Sequence, residues 1–309
     1  MAIIGYAGNS VDAAKIFGTQ EWSKKILAFN KAKQTVRHIT NEDYAGAVKK
    51  ESDVVNIARD IMPIIKPYAR GQDFEYQNEE IQSTQLVIDK AFYAGNKVEP
   101  IDERYSALNR MNMWTKNVGY GFGMYVDKTI LNDIYTDADP SNRGTAAGVE
   151  TKSVNLGATG APLLIDINNC IEVIESMALV FDEIDTPEEG RTVIIPPKWF
   201  NLCLQRMHTV GFYADAKGVL EQGQLPKMIA GFKVYKSNQY NKVVDTSAGN
   251  PTCYNVVFSL PSATTKAENV IKSKEGEDMR NAYLYRYHLQ VLGYKVIQPT
   301  HIGTAYITF

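Results

Sequence analysis

The sequence lacks the patterns that membrane proteins and disulfide-built secreted proteins require. No apolar run approaches the roughly 20 residues that cross a bilayer. The opening, MAIIGYAGNSVDAAK, has neither the basic start nor the sustained apolar run of a signal peptide. Cysteine is rare, with Cys170, Cys203 and Cys253 far apart and no CxxC pair. We therefore expect a soluble protein whose reduced thiols act as small buried apolar groups.

An excess of charge of either sign is also missing. The chain has 33 Lys and Arg against 35 Asp and Glu, a formal charge of −2. This near-neutral charge argues against a protein whose main function is to bind nucleic acid. Residues 15–50 nevertheless carry eight basic against three acidic side chains. The segment 72–80 has no base and four acids, Asp73, Glu75, Glu79 and Glu80. This separation suits complementary surfaces within or between subunits, and two solvated faces are the alternative.

Signatures of catalysis and of cofactor binding are absent as well. The four histidines form neither HxH nor HExxH, and no GxSxG occurs. The run GYGFG (119–123) lacks the glycine spacing of a phosphate loop and falls within a helical pattern. It therefore predicts a helix kink or a place where another backbone approaches closely. Neighbouring acids such as Glu79 and Glu80 lie in polar, turn-prone surroundings that would not separate their pKa values. We expect no enzymatic activity, cofactor or metal.

The first hundred residues predict an arm followed by a long hairpin. Residues 1–20 are weakly patterned, and residues 21–35 have a helix-like pattern with a basic outer face. Two β-like stretches, 52–69 and 84–98, are joined by the acidic segment 70–80, which predicts an antiparallel hairpin with a charged tip. Since a two-stranded ribbon is marginal in isolation, this hairpin needs another surface to lie on.

The rest of the chain predicts a long helix and then a mixed region. Apolar residues recur at three- or four-residue steps from Ile101 to Asp137, and residues 138–160 form a turn-rich connector. Helices are predicted over 166–184, with Asp166 as N-cap, and from the prolines at 196–197. Strands are predicted at Thr192–Ile195, 228–240, 253–260 and much of 283–309. These segregated elements indicate a mixed α/β (α+β) fold rather than repeating βαβ units.

In this order the elements resemble the HK97 fold of the major capsid proteins of tailed bacteriophages. The resemblance is carried by four stretches of sequence: WSKKILAFNKAKQTVRHITNEDYAGAV (22–48), the ribbon 53–102, GRTVIIPPKWFNLCLQ (190–205) and GQLPKMIAGFKVYKSNQ (223–239). It implies five parts in chain order: an N-terminal arm (1–50), an E-loop hairpin (51–100), a P-domain with its spine helix (101–160), an A-domain (161–260) and returning strands of the A- and P-domains (261–309).

The resemblance also implies a function and a set of partners. It implies a non-catalytic coat protein that self-assembles in the host cytoplasm into the icosahedral head of the virion, around double-stranded DNA. The implied partners are further copies of the chain in hexamers and pentamers, a portal protein, a decoration protein and packaged DNA held by non-specific contact, with no membrane. The short arm leaves no room for the N-terminal scaffolding segment of some family members, so a separate scaffolding protein is expected.

The charge pattern leads to a hypothesis about contacts between subunits, in which the acidic tip of the hairpin meets basic groups of a neighbour. The candidate residues are Lys24, Lys25, Lys31 and Lys33 on the arm, and Lys66, Arg70, Asp73, Glu75, Glu79 and Glu80 on the hairpin. Some family members cross-link through an E-loop lysine, but no sequence feature activates Lys66, so non-covalent contact is expected. Three alternatives stay open: an encapsulin-like compartment around a cargo enzyme, a glycan-binding or adhesin-like surface protein, and a hydrolase.

Overall fold

The computed structural model describes residues 34–44, 54–59, 65–67, 70–71, 73, 82–98, 110–210, 228–278 and 283–309. Within these ranges the chain forms three α-helices, α1 (Arg110–Leu131), α2 (Glu172–Asp182) and α3 (Pro197–Val210). The described strands are β1 (Val54–Arg59), β2 (Gln82–Val87), β3 (Lys90–Val98), β4 (Leu163–Leu164), β5 (Thr192–Ile195), β6 (Met228–Ile229), β7 (Phe232–Lys236), β8 (Val243–Val244), β9 (Thr252–Ser259), β10 (Thr264–Asp278), β11 (Tyr283–Val296) and β12 (Ile302–Thr308).

A mixed sheet with the order β4-β12-β9-β5-β7-β6 carries the core on both of its faces, and β8 pairs with β9 beside it. Side chains alternate across a strand, so neighbouring residues enter different cores. In β5, Val193 and Ile195 pack with α2 and α3, whereas Ile194 packs with α1. All four residues of β5 are buried, which explains why this strand reads as a continuous apolar run.

The second sheet and the ribbon form the other part of the described chain. Strands β10, β11 and β3 form an antiparallel sheet in that order, with an irregularity between Val270 and Lys272. Strands β1 and β2 form the predicted two-stranded antiparallel ribbon. The predicted strand 84–98 is divided, however: β2 ends at Val87, and β3 begins at Lys90 and pairs with β11. Ile88, at the division, is buried against Ala267 and Val291, which turns the chain from the ribbon into the sheet.

Several predicted elements are confirmed, among them β5, the helix that starts at the prolines, and strands over 252–259, 283–296 and 302–308. Helix α1 continues through the three glycines, and a Cβ at Gly121 would meet nothing within 4 Å, so no backbone approaches this exposed glycine closely. Gly119 and Gly123 are buried, and a kink or close approach at these two positions stays a prediction. One predicted detail is wrong. Asp166 is not the N-cap of α2. It accepts hydrogen bonds from Asn168 N and Asn169 N in the preceding turn, and the helix begins at Glu172.

Candidate assembly surfaces

The root of the ribbon is packed onto the three-stranded sheet, whereas its opposite face is open. Ile57 and Leu86 are buried against that sheet. Val54 and Val87 are cross-strand partners on the other face, and both are exposed. Ile65 is 92% exposed. Apolar side chains left in solvent on a two-stranded ribbon are surface that a neighbouring chain can cover.

Gly293 on β11 allows the ribbon root to approach this closely. A Cβ at this position would lie 2.7 Å from Val87 O and 3.1 Å from Ile88 Cα, and these backbone atoms cannot rotate away. We expect Gly293→Ala to lower the free energy of unfolding by about 1–3 kcal/mol through overpacking. Urea denaturation measures this loss.

Gly121→Ala is the matched control for that experiment, because it adds the same methyl group where nothing lies within 4 Å. It should be neutral or stabilise α1 by up to about 1 kcal/mol, the difference in helix propensity. If Gly293→Ala were as stable as Gly121→Ala, the close contact between the ribbon root and β11 would be contradicted.

The described end of the predicted arm is bound to α1 by a buried carboxylate. Asp127 is 3% exposed and accepts hydrogen bonds from Thr35 N (2.9 Å), Thr35 Oγ1 (2.6 Å) and Val36 N (3.0 Å). Burial raises the pKa of the Asp127 carboxyl, while the hydrogen bonds from Thr35 and Val36 act in the opposite direction. Val36 and Ile39 complete the anchor in the core under α1. The arm is therefore part of the body from about residue 34 onward.

A buried polar cluster fixes the same segment to β10. The Lys266 ammonium lies 3.3 Å from Glu42 Oε1 and 3.7 Å from Glu268 Oε1, and it donates a hydrogen bond to Gln34 Oε1. Gln34 Nε2 in turn donates to Glu268 Oε2 at 2.8 Å. The side chains of Lys266 and Glu268 are both 0% exposed. A buried ion pair with additional hydrogen bonds defines one arrangement of the groups that it joins. The start of the described chain is thereby placed on the sheet.

A groove of about 490 Å³ between β3 and α1 is lined by aromatic side chains. The Phe92 ring meets Phe122 edge-on with centroids 5.2 Å apart, and its centroid lies 4.8 Å from that of Tyr125. Tyr93 is 76% exposed, and Tyr125 is also exposed. Exposed tyrosines and an apolar groove are typical of protein interfaces. This groove is a second candidate contact surface.

A polar cleft lies where the ribbon joins the sheet. Lys90 Nζ is 3.3 Å from Asp133 Oδ2, and Tyr294 Oη donates a hydrogen bond to the same oxygen. Lys90 also donates to Tyr294 Oη. Burial and then the Asp133 carboxylate raise the pKa of the Tyr294 hydroxyl, so it stays protonated. This cluster ties the first residue of β3 to the segment after α1.

The residues predicted to contact other subunits fall only partly within the described structure. Lys66, Arg70 and Asp73 are described, and all three are exposed. The remaining seven lie outside the described residues: Lys24, Lys25, Lys31, Lys33, Glu75, Glu79 and Glu80. The pairing of the hairpin tip with a neighbour's arm stays a prediction. Across the described ranges, no group of three or more His, Cys, Asp or Glu side chains is placed to hold a metal ion, and no described helix is long and apolar enough to span a bilayer.

The sequence interpretation missed the residues that anchor the arm. Lys266 and Glu268 alternate in a segment rich in charge, which reads as solvated surface. Within 261–309, where the resemblance implies returning strands, no strand bounds were predicted for β10. Asp127 gave a usable signal, because it follows Val126 and precedes Ile130 on an otherwise apolar helix pattern. A charge at a position that periodicity assigns to the core requires a buried partner. That argument predicts a buried hydrogen-bonding partner for Asp127 from the sequence alone.

Comparison with protein-family models and with curated proteins gives no match. Solved structures do match. The structure of Mycobacterium phage Che8 has a TM-score of 0.60 and 20% identity over 98% of this chain and 93% of that chain. The asymmetric unit of the bacteriophage PhiM1 mature capsid has a TM-score of 0.58 and 13% identity, with 100% and 92% covered. The capsid of the native GTA particle has a TM-score of 0.61 and 13% identity, with 99% and 96% covered. The chain thus has the mixed α/β fold of these phage and capsid structures, which confirms the predicted fold class.

Proposed function

We propose that this chain is the major capsid protein of a tailed bacteriophage, a non-catalytic subunit whose copies form the icosahedral head around double-stranded DNA. The observation that carries the proposal is the extent of the fold likeness. The Che8 structure and the PhiM1 and GTA capsids are matched over at least 98% of this chain and at least 92% of theirs. A shared domain in an otherwise different protein would leave one of the two chains largely unmatched, so the likeness supports a role for the whole chain.

The open surfaces of the described residues supply a physical reason for assembly. The outer face of the ribbon exposes Val54 and Val87, and the groove on α1 exposes Tyr93 and Tyr125. Burying apolar surface contributes roughly 25 cal/mol per Å². Contact with neighbouring copies would stabilise a ribbon that has packing at its root and little elsewhere in its described part. An encapsulin-like shell would use the same physics, but the phage and GTA capsids matched above favour a phage head.

The proposal includes the partners and the location that such a shell requires. Copies of the chain would form hexamers and pentamers with the help of a separate scaffolding protein, and one vertex would hold a portal protein. A decoration protein would bind the outer surface, and packaged DNA would touch the inner surface without sequence preference. Assembly would take place in the host cytoplasm, and the mature location would be the virion.

Negative-stain imaging and sedimentation of the full chain, with and without its scaffolding protein, test the proposal. We expect closed shells of uniform size from the protein with its scaffold. A chain that stays a monodisperse small particle at high concentration, with scaffold present, would overturn it. Binding to glycans by that small particle would favour the adhesin-like alternative, and hydrolysis in a broad activity screen would favour an enzyme.

Charge reversal at the hairpin tip tests the predicted contact between subunits. We expect Asp73→Lys combined with Glu75→Lys to lower the yield of shells by at least about tenfold, since like charges brought together in a contact cost several kcal/mol. Particle yield is measured by sedimentation at low and high salt. Salt screens exposed charges, so the defect of the variant should shrink as the salt concentration rises.

The control reverses two exposed acids far from the hairpin in sequence, with Glu188→Lys and Glu189→Lys, and should assemble normally. Adding Lys24→Glu and Lys25→Glu to the tip variant restores opposite charges and should recover shells. Normal assembly of the tip variant with unchanged salt dependence means that the tip does not pair with basic groups of a neighbour.

A further inference from the structure

Exposed basic side chains from three segments come together where the described end of the arm meets α1. The segments are 35–38, 128–132 and 233–242, and they are far apart in the chain. None of the three contains an Asp or a Glu. We call the exposed basic residues of this junction the basic patch: Arg37, Lys128, Lys233 and Lys242.

The first segment is held between α1 and β7. Val36 N donates a hydrogen bond of 3.0 Å to the carboxylate that immediately precedes Lys128 in the sequence. The His38 ring stacks on the Tyr235 ring, with centroids 3.8 Å apart. Because side chains alternate across a strand, Lys233 lies on the same face of β7 as Tyr235. The basic residue between these two contacts is therefore placed between α1 and β7.

The C-terminal end of α1 is joined to the loop that follows β7. Asn132 Nδ2 donates a hydrogen bond of 3.0 Å to Gln239 O, and Asn241 N donates one of 2.6 Å to Asn132 Oδ1. Lys128 lies one turn before Asn132 on α1, and Lys242 directly follows Asn241. These two lysines therefore flank the same junction.

The positive charge of the patch is not cancelled by the acids that follow α1. Asp133 and Asp137 are paired with lysines of the three-stranded sheet, at 3.3 and 3.7 Å. Burial lowers the pKa of the His38 imidazole, and the charges of Arg37 and Lys233 lower it further. A positive potential is thus present between the arm and β7.

The charge of α2, on the opposite side of the large sheet, has the other sign. The patch lies on the side against which α1 packs, whereas α2 packs against the other side. Residues 172–190, which comprise α2 and the turn after it, contain seven acids and no base. Most of these acids are exposed. A nearly neutral chain can therefore attract a polyanion with one surface and repel it with another.

We propose that the basic patch is the surface of the subunit that contacts packaged double-stranded DNA, with α1 turned toward the interior of the shell and α2 turned away from the DNA. This inference rests on the proposed function and names the surface that the DNA touches. Lysine ammonium groups bind phosphates as point charges and do not read base sequence in doing so. Duplex DNA carries one negative charge per roughly 1.7 Å of its axis, so each subunit can contact several phosphates without a fixed register.

Binding of the purified, unassembled full chain to a short DNA duplex of mixed sequence tests the patch without any need for shells. The test variant combines Lys128→Gln, Lys233→Gln and Lys242→Gln. At low salt we expect it to bind at least about tenfold more weakly than the unmodified chain. The slope of log K against log salt should fall in magnitude by about three, since each lysine that contacts a phosphate contributes about one.

The matched control combines Lys152→Gln, Lys198→Gln and Lys272→Gln, three exposed lysines outside the patch. It has the same net charge as the test variant and should bind DNA as the unmodified chain does, with an unchanged slope. Equal weakening in both variants would mean that only net charge matters. That result, or the absence of DNA binding by the unmodified chain at low salt, would overturn the proposal.

A second measurement uses the assembled particle. Labelling of lysines with an amine-reactive acetylating reagent is compared between DNA-filled heads and empty shells. We expect Lys128, Lys233 and Lys242 to react several-fold more slowly in filled heads, whereas the three control lysines should react equally in both. Equal labelling of the patch in filled and empty particles would contradict the contact with DNA.

Failure of this proposal and failure of the proposed function give different results. A chain that forms no shells contradicts the proposed function, and the binding measurement still decides whether the patch holds DNA. If the test variant stays soluble, binds DNA normally and no longer forms shells, the patch is a contact between copies of the chain. In that case the proposal is overturned and the proposed function stands.

Discussion

Replacing Lys266 with methionine should lower the free energy of unfolding by about 3–5 kcal/mol, the usual cost of removing one member of a buried ion pair. The ammonium of Lys266 lies among Gln34, Glu42 and Glu268, and the side chain of Glu268 is 0% exposed. Lys266→Met removes the cation that lies 3.7 Å from Glu268 Oε1, while the hydrogen bonds that Glu268 Oε2 accepts from the neutral donors Gln34 Nε2 (2.8 Å) and Gln290 Nε2 (3.2 Å) stay. Urea denaturation of the full chain measures the loss.

Two controls show whether the loss comes from the buried pair. Lys295 lies on β11, the strand next to β10 in the same sheet, and its exposed ammonium is 3.7 Å from Asp137 Oδ2. Lys295→Met removes this surface ammonium. It should change the free energy of unfolding by less than about 1 kcal/mol, as exposed pairs usually do. Adding Glu268→Met to Lys266→Met also removes the other member of the buried ion pair and should recover much of the stability. If Lys266→Met alone behaves like Lys295→Met, the cluster does not fix the arm.

The loss at Lys266 would also reach assembly, because the cluster joins the arm to the sheet. Asn41 N donates to Thr264 O, and Lys266 N donates to Asn41 O, both at 2.9 Å, so Asn41 forms a parallel β-bridge with Thr265 at the start of β10. Residue 34 is where the described chain emerges from this anchor. A loosened anchor would change the position from which the predicted arm extends toward a neighbour, and shells from Lys266→Met should be fewer than from Lys295→Met.

The fold could be predicted from the sequence wherever one periodicity was dominant. β5 is a short apolar run followed by prolines, and α3 begins at Pro197 as its residue types favour. The ribbon was predicted from two β-like stretches around an acidic joint, and β1 and β2 pair as expected. The resemblance to capsid proteins depends on the order of the motifs along the chain, because each motif is short and their order is distinctive.

The anchoring residues could not be predicted, because their roles depend on contacts far apart in sequence. Lys266 and Glu268 look like solvated strand residues until Gln34 reaches them from 232 and 234 positions away. Gly293 has no local signature, since its need for a missing Cβ comes from the backbone of Val87 and Ile88. The division of the second ribbon strand has the same origin, because the pairing of β3 with β11 is set by the sheet and not by the local alternation.

Lowering the pH from 7 to 4 should cost the protein about 3 kcal/mol of stability through His288 alone. This residue is fully buried on β11, and its ring stacks on Phe122 of α1 with centroids 5.6 Å apart. Burial lowers the pKa of its imidazole from 6.5 to about 4. The unfolded chain therefore takes up a proton below about pH 6.5 that the folded chain refuses until about pH 4. Each unit of that difference is worth about 1.4 kcal/mol.

Stability falls with decreasing pH because the unfolded state binds the proton more readily than the folded state does. Stability from the neutral His288 is fully present above about pH 6.5 and is lost as the pH falls through the folded-state pKa of about 4. His288→Phe keeps an aromatic ring against Phe122 and cannot titrate, so its loss between pH 7 and pH 4 should be smaller by about 3 kcal/mol. Urea denaturation of both proteins at each pH gives this difference directly, and other titrating groups cancel in the subtraction. His288 lies where the three-stranded sheet meets α1. Equal losses of stability in the two proteins would contradict the prediction, because they would mean that water reaches the His288 imidazole and that it is protonated in the folded protein as easily as in the unfolded one.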